Sequence, residues 1–231
     1  MASALSGRDL EAARRYAVAS VVEIRRGIHQ PQTLFNGDGL LGLLVVDGLL
    51  IRRVVVAERH CGELIGDGAF LRPWDHFGEH APMPFEVRWR VIRTTRVALL
   101  DQRFVAVAAR WPELINAIVA RATERAHTLA FNVAIHCLQH IDLRLLVLFW
   151  HLADRFGRVT PEGTVVPWPL THGDLAELTG AQRPTVSAAL SELGRRELLS
   201  RRRDRSWLLT KDPPKELRDL QRHRARAQAD R

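Results

Sequence analysis

The chain has 231 residues, enough for one large domain or two modest ones, each with its own core. Its formal charge of +8 is carried almost wholly by arginine, is densest toward the C-terminus, and points to a polyanionic partner. Cys61 and Cys137 fit no C-x-x-C, zinc or iron–sulfur spacing, no apolar run follows a basic N-terminus, and Leu143–Phe149 is too short for a bilayer. These features argue against disulfide scaffolds, iron–sulfur proteins, secreted proteins and membrane spans. They leave a cytoplasmic protein with free thiols, no cofactor and no membrane partner.

Residues 1 to about 30 read as an amphipathic helix, with Leu10, Ala13, Tyr16, Ala17 and Val21 near helical intervals and Gly27 and Pro31 as its end. Leu40–Val46, an Asp47-Gly48 turn and Leu49–Ala57 read as a β-hairpin. In Phe85–Val91, Phe85, Val87, Trp89 and Val91 alternate with Glu86, Arg88 and Arg90, which predicts a strand with the arginines toward solvent. Thr94–Leu100 reads as the next strand. Several short strands at these intervals suggest a small barrel or jelly roll with a filled interior.

From Trp111 the period becomes helical. Ile115, Val119, Ala122, Ala126, Leu129, Val133 and His136 follow alternating steps of four and three, the seam of a coiled coil and hence a homodimer interface. A helix packed on its own β-domain is the competing reading. His136 would sense pH if two copies met across that seam. After a bend near Gln139–Asp142, Leu143–Phe156 is apolar on most sides and reads as a buried helix. Residues 157–169, rich in Pro and Gly, read as a loop.

Leu170–Leu209 has the spacing of a helix-turn-helix followed by a basic hairpin wing. Thr171 is an N-cap, Leu175 and Leu178 face inward, Gly180 supplies a positive φ, and Pro184 is tolerated in a first turn. Val186, Leu190 and Leu193 then share one face, leaving Gln182, Arg183, Thr185, Ser187 and Ala188 outward near the start of the second helix. Long donors there reach base edges in a major groove. Thr171, His172 and Thr185 fit phosphate contacts, which position without specifying sequence. Arg201, Arg202, Arg203 and Arg205 either grip the DNA backbone or an adjacent minor groove, or form a solvated hairpin tip. Trp207 reads as an anchor of the wing. Arg222, Arg224, Arg226 and Arg231 line a basic tail.

The segment LTHGDLAELTGAQRPTVSAALSELGRRELL resembles the CRP/FNR family of bacterial transcription regulators. LGLLVVDGLLIRRVVV, ELIGDGAF and RVALLDQRF extend the resemblance over nearly the whole chain. The implied architecture is α+β: a cyclic-nucleotide-binding-type β-roll over residues 1–110, a dimerisation helix over 111–138, a winged helix-turn-helix over 139–215 and a basic tail over 216–231. The implied partners are double-stranded DNA, a second copy of the chain and RNA polymerase. Each subunit would present one recognition helix to a half-site of a palindrome, about one DNA turn apart.

Arg183 stands at the family position whose arginine contacts guanine, where a guanidinium fork matches O6 and N7. Pro184 and Ala188 replace an acidic and a basic base reader, so the operator departs from the usual family consensus. In the cyclic-nucleotide cassette, Gly66-Asp67 stands for the Gly-Glu pair, but Phe85-Glu86 stands for the Arg-Ser/Thr pair that holds the phosphate. A buried carboxylate there would repel a phosphate, and no classical response to cyclic AMP or cyclic GMP is expected. A shifted alignment would give Arg88 or Arg90 that role. The effector, if the β-domain has one, is left open.

Two other classes stay in view. A low-specificity architectural protein of the nucleoid fits the arginine content and the lost base readers. An enzyme fits worst, because the cupin His-x-His pattern and a nucleophile–base pair are both missing. His60, Cys61, His76, Glu79 and His80 are formal haem or metal ligands, yet no helical spacing brings them together.

Overall fold

The computed structural model describes residues 5, 7–35, 39–56, 59–73, 85–210 and 212–213. The chain forms two compact units, Met1–Asn132 and Val133–Arg231. The expected basic tail and the histidines at 76 and 80 lie outside the described residues.

The first unit opens with helix α1 (Gly7–Tyr16), strands β1 (Ser20–Ile24) and β2 (Gly27–His29), and the single turn α2 (Pro31–Leu34). The long strand β3 (Leu40–Val56), β4 (Arg59–Gly66), the short β5 (Phe70–Leu71) and the long strand β6 (Glu86–Asp101) follow. They make a six-stranded antiparallel sheet in the order β1-β6-β3-β4, with β2 also on β6 and β5 also on β3. Leu43, Val45, Leu50, Ile65, Val87, Trp89, Val91 and Val97 fill its interior. Helix α3 (Gln102–Ala108) is capped by Asp101, whose carboxylate accepts from the Phe104 N–H at 2.7 Å. Helix α4 (Pro112–His136) follows, with Leu114 and Ile118 packed on Phe70, Leu100 and Phe104.

Three expectations for this unit are corrected. The N-terminal helix stops at Tyr16, and Ser20–Ile24 is a strand paired with Thr95–Leu99 of β6. The β-branched pair Val21-Val22 suits that pleat, and β6 supplies the backbone partners that a helix would have found within itself. Asp47-Gly48 is not a hairpin turn. It is an irregularity within β3, where the pairing to β6 shifts register on both sides of Asp47. The Gly48 N–H donates to Asp67 Oδ1 at 3.0 Å, and Arg96 Nε donates to Asp47 Oδ2 at 2.7 Å. Gly48 has φ +128°, and a Cβ there would lie 2.4 Å from Thr95 Cα, so only glycine lets β3 pass β6 so closely. The two strands expected between Phe85 and Leu100 are likewise one continuous β6.

The second unit contains the end of α4, then α5 (Ile141–Phe156), β7 (Arg158–Thr160), β8 (Gly163–Val166), α6 (His172–Thr179), α7 (Arg183–Arg195), β9 (Leu199–Arg201) and β10 (Trp207–Leu209). Leu145, Leu146, Val147, Leu148, Phe149 and Leu152 bury α5, as its apolar surface requires. The stretch read as a loop carries the β7–β8 hairpin. β8 pairs with β10, giving a four-stranded sheet in the order β7-β8-β10-β9. Its partner strand lies some 40 residues downstream, so no local pattern announces it.

Candidate nucleic-acid interface

Helix α6 starts at a capping box. The Asp174 N–H donates to Thr171 Oγ1 at 3.2 Å, while the Thr171 N–H donates to Asp174 Oδ2 at 2.6 Å. The Thr171 hydroxyl also donates to Asp174 Oδ2 at 2.7 Å, so it is engaged inside the cap. Gly180 ends the helix in the left-handed region, φ 63° and ψ 27°. The last carbonyls of α6 are met by donors from elsewhere: His136 Nε2 to Leu178 O at 3.1 Å and Arg144 Nη1 to Thr179 O at 3.1 Å. His136 is thus turned onto α6 of its own unit.

Helix α7 buries Val186, Ala189, Leu190 and Leu193 and exposes Arg183, Pro184, Thr185 and Ala188. Gln182 is its N-cap residue and its exposed side chain makes no capping bond, so the amide is available to an outside partner. Ser187 is half-exposed, donates to Arg183 O at 3.0 Å and lies 2.8 Å from His172 Nδ1. Burial, then the positive charges of Arg201 and Arg183, hold the His172 pKa below its ordinary value.

The wing is β9, a five-residue connection and β10. Asp204 Oδ1 accepts from the Ser206 N–H at 3.0 Å and from its hydroxyl at 2.6 Å, which fixes the turn and lowers the Asp204 pKa. Arg205 takes φ 70°, a left-handed position at the tip. Trp207 is buried, donates Nε1–H to Leu170 O at 3.2 Å and packs 5.0 Å from the Phe149 ring. It is an anchor, as its place in the sequence suggested. Arg201 stacks over the Trp207 ring at 5.7 Å, Arg202 reaches Glu162 at 3.5 Å, and Arg203 is exposed. Sequence reasoning missed Glu162, because the hairpin that places it opposite the wing was read as loop.

The seam of α4 divides by exposure. Ile115 is half-buried, whereas Val119, Ala122, Ala126, Leu129 and Val133 are exposed, with Val119 at 58% and Val133 at 64%. Leu114, Ile118 and Arg125 face the β-domain one step round the helix. The two faces of α4 therefore differ. One packs on its own domain, and the other is open and apolar.

In the β-domain, Gly66 ends β4 and Asp67 follows it, occupied by the Gly48 N–H and by Arg93 at 3.6 Å. Glu86 is not the buried carboxylate expected. It lies at the surface and accepts from Arg88 Nη2 at 2.8 Å, a bond that lowers its pKa. Arg88 is exposed as predicted, but Arg90 is half-buried. Arg52 and Glu63, 8% and 5% exposed, form an ion cluster with Arg125 of α4. Arg52, Arg72, Arg125 and Trp89 line a cleft of about 10 Å³, room for roughly one water. Cys61 and Cys137 are free thiols. Among the described residues no group of three His, Cys, Asp or Glu side chains is placed to hold a metal ion, and no helix is long and apolar enough to cross a membrane.

Residues 143–220 match the family model described as a Crp-like helix-turn-helix domain. A search of curated protein sequences finds no match. Among solved structures, a mutant of CooA from Carboxydothermus hydrogenoformans superposes with a TM-score of 0.63 at 18% identity, covering 84% of each chain. FixK2 from Bradyrhizobium japonicum gives 0.62 at 16% identity, over 84% of this chain and 93% of its own. The c-di-GMP responsive global regulator CLP of Xanthomonas campestris gives 0.61 at 16% identity, over 87% and 99%. Residues 143–220 are similar to a Crp-like helix-turn-helix domain, and the chain shares the fold of solved CRP/FNR-type structures.

Proposed function

We propose that the protein is a homodimeric, sequence-specific transcription regulator that binds a palindromic operator. The observation that carries this reading is the division of α7: Val186, Leu190 and Leu193 are buried while Gln182, Arg183 and Thr185 stand outward at its N-terminal end. Arg183 reads guanine through its fork, and Gln182 and Ser187 add contacts to neighbouring bases. Thr185, His172 and the first turn of α6 behind Thr171 meet phosphates, where helix geometry leaves N–H groups without intrahelical partners. Arg201, Arg202 and Arg203 hold the backbone beside the wing.

The open face of α4, from Val119 to Val133, is the dimer interface in this reading, with Ile115 at its margin. The β-domain does not bind cyclic AMP or cyclic GMP in the family's usual way. Asp67 already accepts from the Gly48 N–H and is ion-paired with Arg93, Phe85 and Glu86 offer a phosphate no cation, and Arg88 is paired with Glu86. RNA polymerase and an effector of another chemistry remain candidate partners, and the protein works in the cytoplasm on the nucleoid.

Genome-wide mapping of DNA bound by the purified protein, with and without cyclic nucleotides, tests this reading. Recovery of one palindrome, unchanged by cyclic AMP, is the expected result. Diffuse protection without a motif would favour the architectural reading, which the exposed Pro184 and Ala188 support by leaving two apolar side chains where the family has base readers.

A further inference from the structure

A serine hydroxyl has one proton and two lone pairs, so its surroundings decide whether it can give, take, or both. Ser187 Oγ lies 3.0 Å from Arg183 O, and a carbonyl oxygen only accepts. Donation to that carbonyl spends the single proton within α7. His172 Nδ1 is 2.8 Å from the same oxygen, and with the proton gone it must be the donor. That fixes His172 with hydrogen on Nδ1, and it occupies one of the two lone pairs of Ser187.

We infer that Ser187 is a hydrogen-bond acceptor only, held so by His172, and that it selects a base presenting an exocyclic amine in the major groove. One lone pair of the half-exposed hydroxyl is left. Adenine N6 and cytosine N4 can donate to it. Guanine O6 and N7 and thymine O4 cannot, and would set lone pair against lone pair. His172 is then a positioning residue that acts through Ser187, joining the start of α6 to the reading face of α7. Burial, then the charges of Arg201 and Arg183, oppose a second proton on the imidazole. The selectivity rests on the regulator reading above; the protonation pattern does not.

Two measurements on the full chain test it. In the free protein, nitrogen NMR of the histidines should show His172 protonated at Nδ1 and bare at Nε2, and Ser187→Ala should abolish that preference. In selection from randomised duplexes, Ser187→Ala, a change that favours helix, should lose preference at one position per half-site, where the wild type takes adenine or cytosine on the strand facing Ser187. Replacing that base by purine or 2-pyrimidinone, which lack the amine, should weaken the wild type roughly fivefold and leave Ser187→Ala unchanged. An Nε2-protonated His172, unchanged preferences in Ser187→Ala, or a keto base at that position would overturn the inference while Arg183-dependent selection survived. A wild type that selects no sequence would defeat the regulator reading and this selectivity together.

Discussion

Arg125 of α4 closes a two-pronged ion pair on Glu63 of β4, with Nε to Oε1 at 2.8 Å and Nη2 to Oε2 at 2.9 Å. Arg52 approaches the same carboxylate at 3.6 Å, and burial lowers its pKa against the pull of Glu63. One buried carboxylate thus faces two guanidinium groups and ties the long helix to the sheet. Glu63→Gln leaves both cations without their counter-charge. It should destabilise the β-domain by about 3–5 kcal/mol, read as a lower midpoint in urea unfolding. A change within a few tenths of a kcal/mol would show that the cluster is dispensable.

The open face of α4 makes a prediction about assembly. Val119→Asp with Val133→Asp puts charge where the proposed dimer buries apolar surface, while neither residue is buried in the single chain. Light scattering should report a folded monomer whose circular dichroism is unchanged. Operator affinity should fall by at least tenfold, because a lone half-site loses the second tethered contact. A double variant that stays dimeric would place the interface elsewhere.

Base reading and backbone holding separate by their salt dependence. Arg183→Ala should erase preference at one base pair, about 1–3 kcal/mol of discrimination. Arg203→Ala should weaken every duplex alike and reduce the slope of log K against log salt by about 1. Glu162→Ala should act oppositely to Arg203→Ala, since it frees Arg202 from its 3.5 Å partner for a phosphate. Equal effects of Arg183→Ala and Arg203→Ala on specific and random DNA would show the roles misassigned.

His151 on α5 sets an acid limit for the winged-helix unit. Burial, reinforced by Arg155 and opposed by Asp154, lowers its pKa from 6.5 to about 4. The unfolded chain therefore takes up a proton first as the pH falls. Stability is full above pH 6.5 and is lost as the pH drops toward 4, by on the order of 3 kcal/mol. His151→Leu should flatten that part of the stability profile, leaving the smaller contribution of His172, whose pKa is lowered in the same direction. An unaltered profile in the variant would assign the acid sensitivity to other groups.

Local chemistry accounts for what was legible in the sequence. The cap at Thr171, the left-handed Gly180, the buried triplet of Val186, Leu190 and Leu193, and the anchoring Trp207 each follow from spacing within a few residues, and each stands where it was expected. The open stripe on α4 could likewise be read from a repeat of three and four. What failed was whatever depended on a distant strand. Ser20–Ile24 became sheet because β6 offered it a ladder, and Asp47-Gly48 stayed extended because Asp67 took the amide a turn would have used. The β7–β8 hairpin exists because β10 completes it. The partners of charged groups were hidden for the same reason: Arg125 meets Glu63 across 62 residues, and His172 meets Ser187 across two helices. Periodicity fixes which face of an element is apolar, whereas the acceptor that meets a given donor is decided only when remote segments pack together.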